Sequence, residues 1–246
     1  VSCAQYDGGT ITPLVKTYTH YLSSTPVTIT VQSYPSSSPF TFLILHHDEQ
    51  TAHQASVQFA EQNGGQLISI ENGNERTLSF FVDGKKYTFD PNRVFTDAGI
   101  KKTLELYGDY NETAAKQIKQ LATFILSLVP DESILVAMHN NRNHAYSVSQ
   151  YEKGGILYNE TEAVYRDKNT DADDFVFTTS KEVFDVYKNA GINVVCQQNE
   201  KATDDGSLSI YYGRQKKTYI NIEAEHNHLE QQIKMLEILL QIPGLH

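Results

Sequence analysis

Tryptophan is absent from the 246 residues, and cysteine and methionine occur twice each. Cys3 and Cys196 are compatible with one disulfide or with two free thiols, and residues so far apart fit no zinc-ribbon spacing. No apolar run reaches the roughly 18 residues of a membrane-spanning helix, and no low-complexity tract argues for disorder. Basic residues are also few: 20 Lys and Arg against 30 Asp and Glu leave a net charge of −10, which sets nucleic acid aside as a partner. After residue 40 there is no linker rich in Pro, Gly or Ser that would divide the chain.

What is present suffices for a sizeable core, because 39% of the residues are hydrophobic. The chain reads as one domain over 1–246, with 1–25 as an N-terminal extension. It begins at Val1, as after removal of a leader or trimming, so the expectation is an extracytoplasmic protein, periplasmic or secreted, with the cytoplasm as the alternative. The triplets Asn111-Glu-Thr and Asn159-Glu-Thr match glycosylation acceptors, a pattern common enough by chance to add little.

From Val27 to Ser33, VTITVQS alternates β-branched and polar residues and reads as a strand. FTFLIL, from Phe40, is nearly all apolar, the pattern of a strand covered on both faces. The next segment carries Ala52, Ala55, Phe59 and Ala60 at helical spacing before an Asn63-Gly64-Gly65 stop. QLISIE reads as a strand and RTLSFFVDGKKYTFDP as a hairpin around Asp83-Gly84. A helix is expected from about Ala114 to Leu128, ended by Pro130, and then an apolar strand, SILVAMH, ending at His139. KEVFDVYKNAG reads as a helix, INVVCQQ, LSIYYGR and TYINIEAE as strands, and NHLEQQIKMLEILLQI as a closing amphipathic helix. The interleaving predicts a single α/β domain with a mixed, largely parallel central sheet flanked by helices.

Two buried-type strands thus run into histidine, at His46 and His139, and open α/β sheets bind ligands beyond the carboxyl ends of their strands. His46 and Glu49 can turn an imidazole nitrogen and a carboxylate oxygen onto one divalent ion, with His139 as third ligand and a position left for water. Alone, the same spacing fits a solvated loop. In FDPNRVF, Asn92 and Arg93 set an amide and a guanidinium fork behind a proline, suited to a carboxylate, although a turn with Arg93 in a surface pair fits the same letters. Along TYINIEAE, alternation puts Ile220, Ile222 and Ala224 on one face and Tyr219, Asn221, Glu223 and Glu225 on the other. A carboxylate near a metal-activated water completes an amide hydrolase, and Glu223 is the candidate. His226 and His228 read as surface histidines, while Tyr146, Tyr211 and Tyr212 are candidates for bonding a tetrahedral intermediate.

Taken in order, His46-x-x-Glu49, Asp90-x-Asn92-Arg93-x-Phe95, the strand ending at His139 and INIE ending at Glu223 resemble the zinc carboxypeptidase superfamily, especially its aspartoacylase and succinylglutamate desuccinylase branch. The resemblance implies one zinc ion and hydrolysis of an amide bond near a carboxylate, in a small peptide or an N-acyl amino acid. It implies His46, Glu49 and His139 as ligands, Asn92 and Arg93 on the substrate carboxylate, and Glu223 as general base and acid. Arg76 and Arg214 stand where relatives keep a second arginine, Arg76 taken with the catalytic set and Arg214 with the substrate set. The sequence departs from desuccinylase relatives at His47, where Gly is usual, and at Ala137, where an acid is usual. The latter change removes a partner that would orient a ligand histidine. The expectation is a zinc-dependent, carboxypeptidase-like amide hydrolase; an N-acyl amino acid deacylase and a non-catalytic peptide- or glycan-binding module on the same fold are the alternatives.

Overall fold

The computed structural model describes residues 11–243. Strands β1 (Leu14–Leu22), β2 (Thr25–Tyr34) and β3 (Phe40–Ile44) precede helix α1 (Gln50–Asn63), then β4 (Gly65–Glu71), β5 (Leu78–Val82) and β6 (Lys85–Phe89). Helices α2 (Asp97–Tyr107) and α3 (Glu112–Ser127) lead to β7 (Ile134–Asn141), β8 (Thr161–Tyr165) and β9 (Phe175–Thr178). The chain closes with α4 (Lys181–Asn189), β10 (Val194–Gln197), α5 (Leu208–Arg214), β11 (Tyr219–Glu225) and α6 (Leu229–Glu237), the last followed by a 3₁₀ turn over Ile238–Gln241.

Nine strands form one sheet in the order β1-β2-β4-β3-β7-β11-β9-β10-β8, and β5 and β6 form a separate hairpin. The centre, β4-β3-β7-β11, is parallel. Both flanks contain antiparallel pairs, β1-β2-β4 on one side and β11-β9 and β10-β8 on the other. The segment read as an N-terminal extension supplies the edge strand β1 from Leu14 onwards, with Leu14, Val15 and Tyr21 exposed.

Period-2 alternation divides the core between the two faces of the sheet. Leu43, Ala137 and Tyr219 pack on one face with the β5–β6 hairpin, α2 and α3. Phe42, Val136, Met138, Ile220 and Ile222 pack on the other with α1, α4 and α6. Each large side chain among them stabilises the fold by about 1.5–3 kcal/mol through removal from water. The hairpin is closed by Asp83 and Gly84 with φ of 50° and 78°, the two positive values that a two-residue type I′ turn demands.

Two readings change. LSIYYGR is helix α5, not a strand: Leu208 and Tyr212, one turn apart, are both buried against the core, and apolar residues two and four apart satisfy either period over so short a run. Helix α2 was not anticipated, although Thr96 marks its start by accepting from Gly99 N at 3.0 Å. Cys196 is buried on β10, and Cys3 lies outside the described residues. No helix among the described residues is long and apolar enough to cross a membrane.

Candidate metal centre and its cavity

His46 follows the buried strand β3, and the next turn folds back on itself, Glu49 N donating to His46 O at 3.2 Å. This brings both side chains to one side. Glu49 occupies the N-cap position of α1, yet its carboxylate makes no cap bond. It is held instead by His46 Nδ1 on Oε1 (2.9 Å), Arg76 Nη1 on Oε1 (2.8 Å) and His139 Nδ1 on Oε2 (2.8 Å). His139 projects from β7 on the face that carries Leu135 and Ala137, two positions before the strand ends at Asn141. His46, Glu49 and His139 are 0%, 1% and 3% exposed, so the contacts are shielded from solvent.

The other nitrogen of His46, Nε2, lies 2.8 Å from Asp90 Oδ1, which also accepts from Asn92 N at 2.8 Å and so caps the short turn Pro91–Arg93. Burial opposes charge on each of these groups, but their mutual contacts outweigh it. Burial lowers His46, but the hydrogen bonds it donates to Asp90 and Glu49 push it up to about 9. The charge and hydrogen bond of His139, with those of His46, hold Glu49 well below the usual carboxylate range, and His46 holds Asp90 down at about 2. With its Nε2 proton given to Asp90, His46 turns Nδ1 onto a carboxylate oxygen. His46 Nδ1 and Glu49 Oε1, 2.9 Å apart, are the pair that a cation would share in place of the proton.

The donor set fits such a cation. One ligand atom from each of His46, Glu49 and His139 lies within 4.8 Å of the others. Two imidazoles and a carboxylate suit zinc with one position left open, and a carboxylate behind a ligand imidazole fixes its orientation and raises its basicity. Asp90 supplies that carboxylate for His46, a role beyond the turn-forming one read from the sequence.

The group lies at the wall of a cavity of about 650 Å³ that is also lined by Arg76, Asn92, Arg93, Tyr146, Asp205 and Glu223. Glu223 on β11 is in register with His139 on the adjacent parallel strand β7, which sets the two on the same face about one strand spacing apart. Its Oε1 accepts from Asn221 Nδ2 at 3.0 Å, and it is 6% exposed. Burial raises its carboxyl above the usual range, with the Glu49 charge adding to burial while His139, Asn221 and Arg76 act against it. Asn92 Nδ2 is 3.5 Å from His139 Nε2, and its Oδ1 has no hydrogen-bond partner.

Arg93 faces Asp205, Nη1 to Oδ2 3.0 Å, with both side chains nearly half exposed. The two loops meet at a glycine: a Cβ at Gly206, where φ is +84°, would lie 2.3 Å from the carbonyl oxygen of Arg93. Asp205 was not singled out from the sequence; the Asp-Gly-Ser turn before α5 is its only signal.

Other expectations are redistributed. Arg76 lies in the loop before β5 rather than on a strand, with its guanidinium on Glu49. Arg214, at the end of α5, pairs with Asp204 at 2.7 Å and is not among the cavity-lining residues. His47 turns away from His46, its Nδ1 accepting from Asn72 N at 2.6 Å and its Nε2 lying 3.1 Å from Glu71. Tyr146 lines the cavity and hydrogen-bonds Tyr151, whereas Tyr211 and Tyr212 line a smaller depression elsewhere. His226 reaches the cavity, and His228 is half-buried against Asp174.

No family model matches the chain, and no curated protein matches its sequence. Among solved structures it is similar to a succinylglutamate desuccinylase/aspartoacylase from Rhodobacter sphaeroides, at 15% identity and a TM-score of 0.46, covering 100% of this chain and 70% of that one. It is similar to an aspartoacylase family protein from Mesorhizobium loti at 14% identity and a TM-score of 0.46, covering 96% and 68%. A structure from Burkholderia mallei, by its name a carboxypeptidase, is similar at 10% identity and a TM-score of 0.44, covering 94% and 64%. What the site can do rests on its own atoms.

Proposed function

We propose that the protein is a zinc-dependent hydrolase of an amide bond that lies close to a carboxylate of its substrate. The observation that carries this reading is the buried His46–Glu49–His139 group opening onto a cavity that also presents Glu223 and Arg93. Bound by these three residues, zinc would supply Lewis acidity, lowering the pKa of water to about 7 and polarising the scissile carbonyl.

The chain's own residues account for the rest. Arg93 offers a fork for the substrate carboxylate, exchanging Asp205 for it, and Asn92 stands beside it. Glu223 takes a proton from the attacking water as the new C–O bond forms and delivers it to the amide nitrogen as the C–N bond breaks, leaving a carboxylic acid and an amine. Its raised carboxyl, set by burial, brings it nearer to the working range of a group that must both accept and release a proton. Arg76 positions Glu49, and Asp90 positions His46. A cavity of about 650 Å³ fits an N-acyl amino acid or the last residues of a short peptide, both of which place a carboxylate beside an amide.

The test is to load the purified protein with zinc and screen short peptides and N-acyl amino acids, each as free acid and as carboxamide. Hydrolysis of free acids, lost on chelation and restored by zinc, is the expected result. Zinc bound at one equivalent with no cleavage of either class would overturn the reading in favour of a binding module.

A further inference from the structure

The two edges of the nine-stranded sheet are finished differently. β8 closes one edge with only five residues, an acid at Glu162 and a register shift between Cys196 and Gln197 where it pairs with β10. Short length, charge and a bulge are the devices by which a sheet edge avoids pairing with another chain. β1, the other edge, has little of this. It runs for nine residues in unbroken register with β2, from Leu14↔Ser33 to Leu22↔Thr25, and contains neither proline nor acid; Lys16 is its one formal charge.

Exposure points the same way. Leu14, Val15 and Tyr21 are each more than half exposed, and no strand lies beyond β1 among the described residues. Val15, Thr17, Thr19 and Tyr21 share one face of the strand, all of them exposed. On the other face, Tyr18 and His20 lean on Phe124 of α3. The chain as a whole carries a net charge of −10, so an edge strand without acids is where two copies repel each other least.

The strand's own letters say what completes it. Read from both ends towards Tyr18, LVKTYTHYL is nearly palindromic: Leu14 mirrors Leu22, Val15 mirrors Tyr21, Lys16 mirrors His20 and Thr17 mirrors Thr19. A second copy laid antiparallel about a two-fold axis through Tyr18 therefore meets matching residues. Centring on a residue pairs positions of equal parity, so each face of the sheet continues across the junction. On the exposed face Val15 stands opposite Tyr21 and Thr17 opposite Thr19, each pair occurring twice, and aromatic–β-branched and Thr–Thr neighbours are favourable cross-strand pairs. On the other face Leu14 stands opposite Leu22, Tyr18 opposite its own counterpart and Lys16 opposite His20. Burial lowers His20 below its usual value, so at neutral pH Lys16 meets an uncharged imidazole.

We infer that β1 is a homodimer edge: two copies of the chain pair their β1 strands antiparallel about a two-fold axis through Tyr18, joining their sheets into one. The N–H and C=O groups along the outer side of β1 gain backbone partners, and the axis makes the contact isologous, so assembly stops at two. A second copy is the occupant because it carries the mirrored order of side chains that a foreign strand has no reason to carry. The inference does not depend on the amide-hydrolase reading, since β2, β4 and β3 separate β1 from β7 and no residue of β1 lines the cavity.

The experiment is sedimentation equilibrium on the full chain and on two double variants at exposed positions, with circular dichroism to check that each is folded. The wild type is expected to dimerise at micromolar concentration. Thr17→Lys with Thr19→Lys sets lysine opposite lysine in both central pairs and should weaken the dimer by about tenfold or more. Thr17→Glu with Thr19→Lys sets glutamate opposite lysine in the same two pairs and should dimerise at least as well as the wild type. A wild-type chain that stays monomeric at millimolar concentration would overturn the inference, as would a dimer that the two lysines leave unchanged. Equal loss in both variants would overturn the register about Tyr18, and species larger than a dimer would overturn the two-fold axis.

Discussion

At His46 a single buried imidazole lies between two carboxylates, Glu49 and Asp90, whereas at His228 a half-exposed imidazole stands among Asp171, Asp174 and Glu225, with Asp173 behind. In the first group Glu49 is held from three parts of the chain, by His46, Arg76 and His139. The second has a surplus of acceptors, with the Glu225 and Asp173 carboxyls facing each other. A buried group whose side chains fix one another is preorganised, whereas contacts in a half-exposed group are weakened by solvent. The buried centre therefore suits chemistry, where positions must not change during reaction, and the outer one is a half-exposed ion-pair network at the end of β11.

The most severe way to separate the two is to remove a buried ligand. His46→Ala or His139→Ala should weaken zinc by about 10²- to 10⁴-fold, since one of three protein donors carries roughly a third of a binding free energy of ~10–16 kcal/mol, and turnover should go with it. His47→Ala, on the neighbouring imidazole turned to Asn72 and Glu71, should leave zinc in place. Equal loss in His46→Ala and His47→Ala, read by metal analysis after dialysis, would show that the wrong histidine has been chosen.

Next in size is the proton carrier. Glu223→Gln retains the Asn221 contact in shape and should keep one zinc while losing about 10²- to 10⁴-fold in turnover. Near-wild-type turnover with zinc bound would remove Glu223 from the mechanism and leave its raised carboxyl a matter of burial alone.

Much of the buried centre was legible in the sequence because strand periodicity does two things at once. FTFLIL and SILVAMH announce buried strands by their apolar runs, and their ends fall where a parallel sheet exposes ligand-binding positions, so His46 and His139 could be placed without knowing the topology. Alternation along β11 likewise put Glu223 on the polar side. What failed was either short or non-local. α5 is only seven residues, too few for the helical and strand periods to diverge. Arg214 matched by position alone, and its orientation towards Asp204 is a tertiary fact. Asp205 comes from a loop whose letters carry no period at all.

Both groups place a carboxylate behind an imidazole, which gives a direct comparison between them. Asp90→Asn should weaken zinc by about 10- to 100-fold, whereas Asp174→Asn should leave zinc unchanged. Zinc affinity measured on both variants checks this; a comparable loss from Asp174→Asn would mean that the two groups are coupled. Arg93→Lys keeps the charge but not the fork, and should lower kcat/KM by about 10- to 100-fold with zinc retained, as expected for a charge-assisted pair worth ~1.5–3 kcal/mol. Wild-type protein should show a similar preference for free-acid over carboxamide substrates, and equal cleavage of the two would detach Arg93 from the carboxylate.

The smallest expected effect concerns the partner that Arg93 already has. Asp205 Oδ2 lies 3.0 Å from the guanidinium, and both side chains are nearly half exposed, so the pair contributes at most about 1 kcal/mol once solvent screening is included. Its Oδ1 accepts from Ser207 N at 3.0 Å, a bond that asparagine can retain, so Asp205→Asn changes the charge while sparing the turn before α5. If Asp205 only occupies the fork until a substrate carboxylate replaces it, the variant releases Arg93 in the free protein and KM should fall by up to about fivefold with kcat unchanged. If Asp205 instead aims the fork, KM should rise, because an unpaired long side chain must be ordered each time substrate binds. Steady-state kinetics on one free-acid substrate distinguishes the two by sign, and a lowered kcat with constant KM would contradict both, placing Asp205 at the reacting bond.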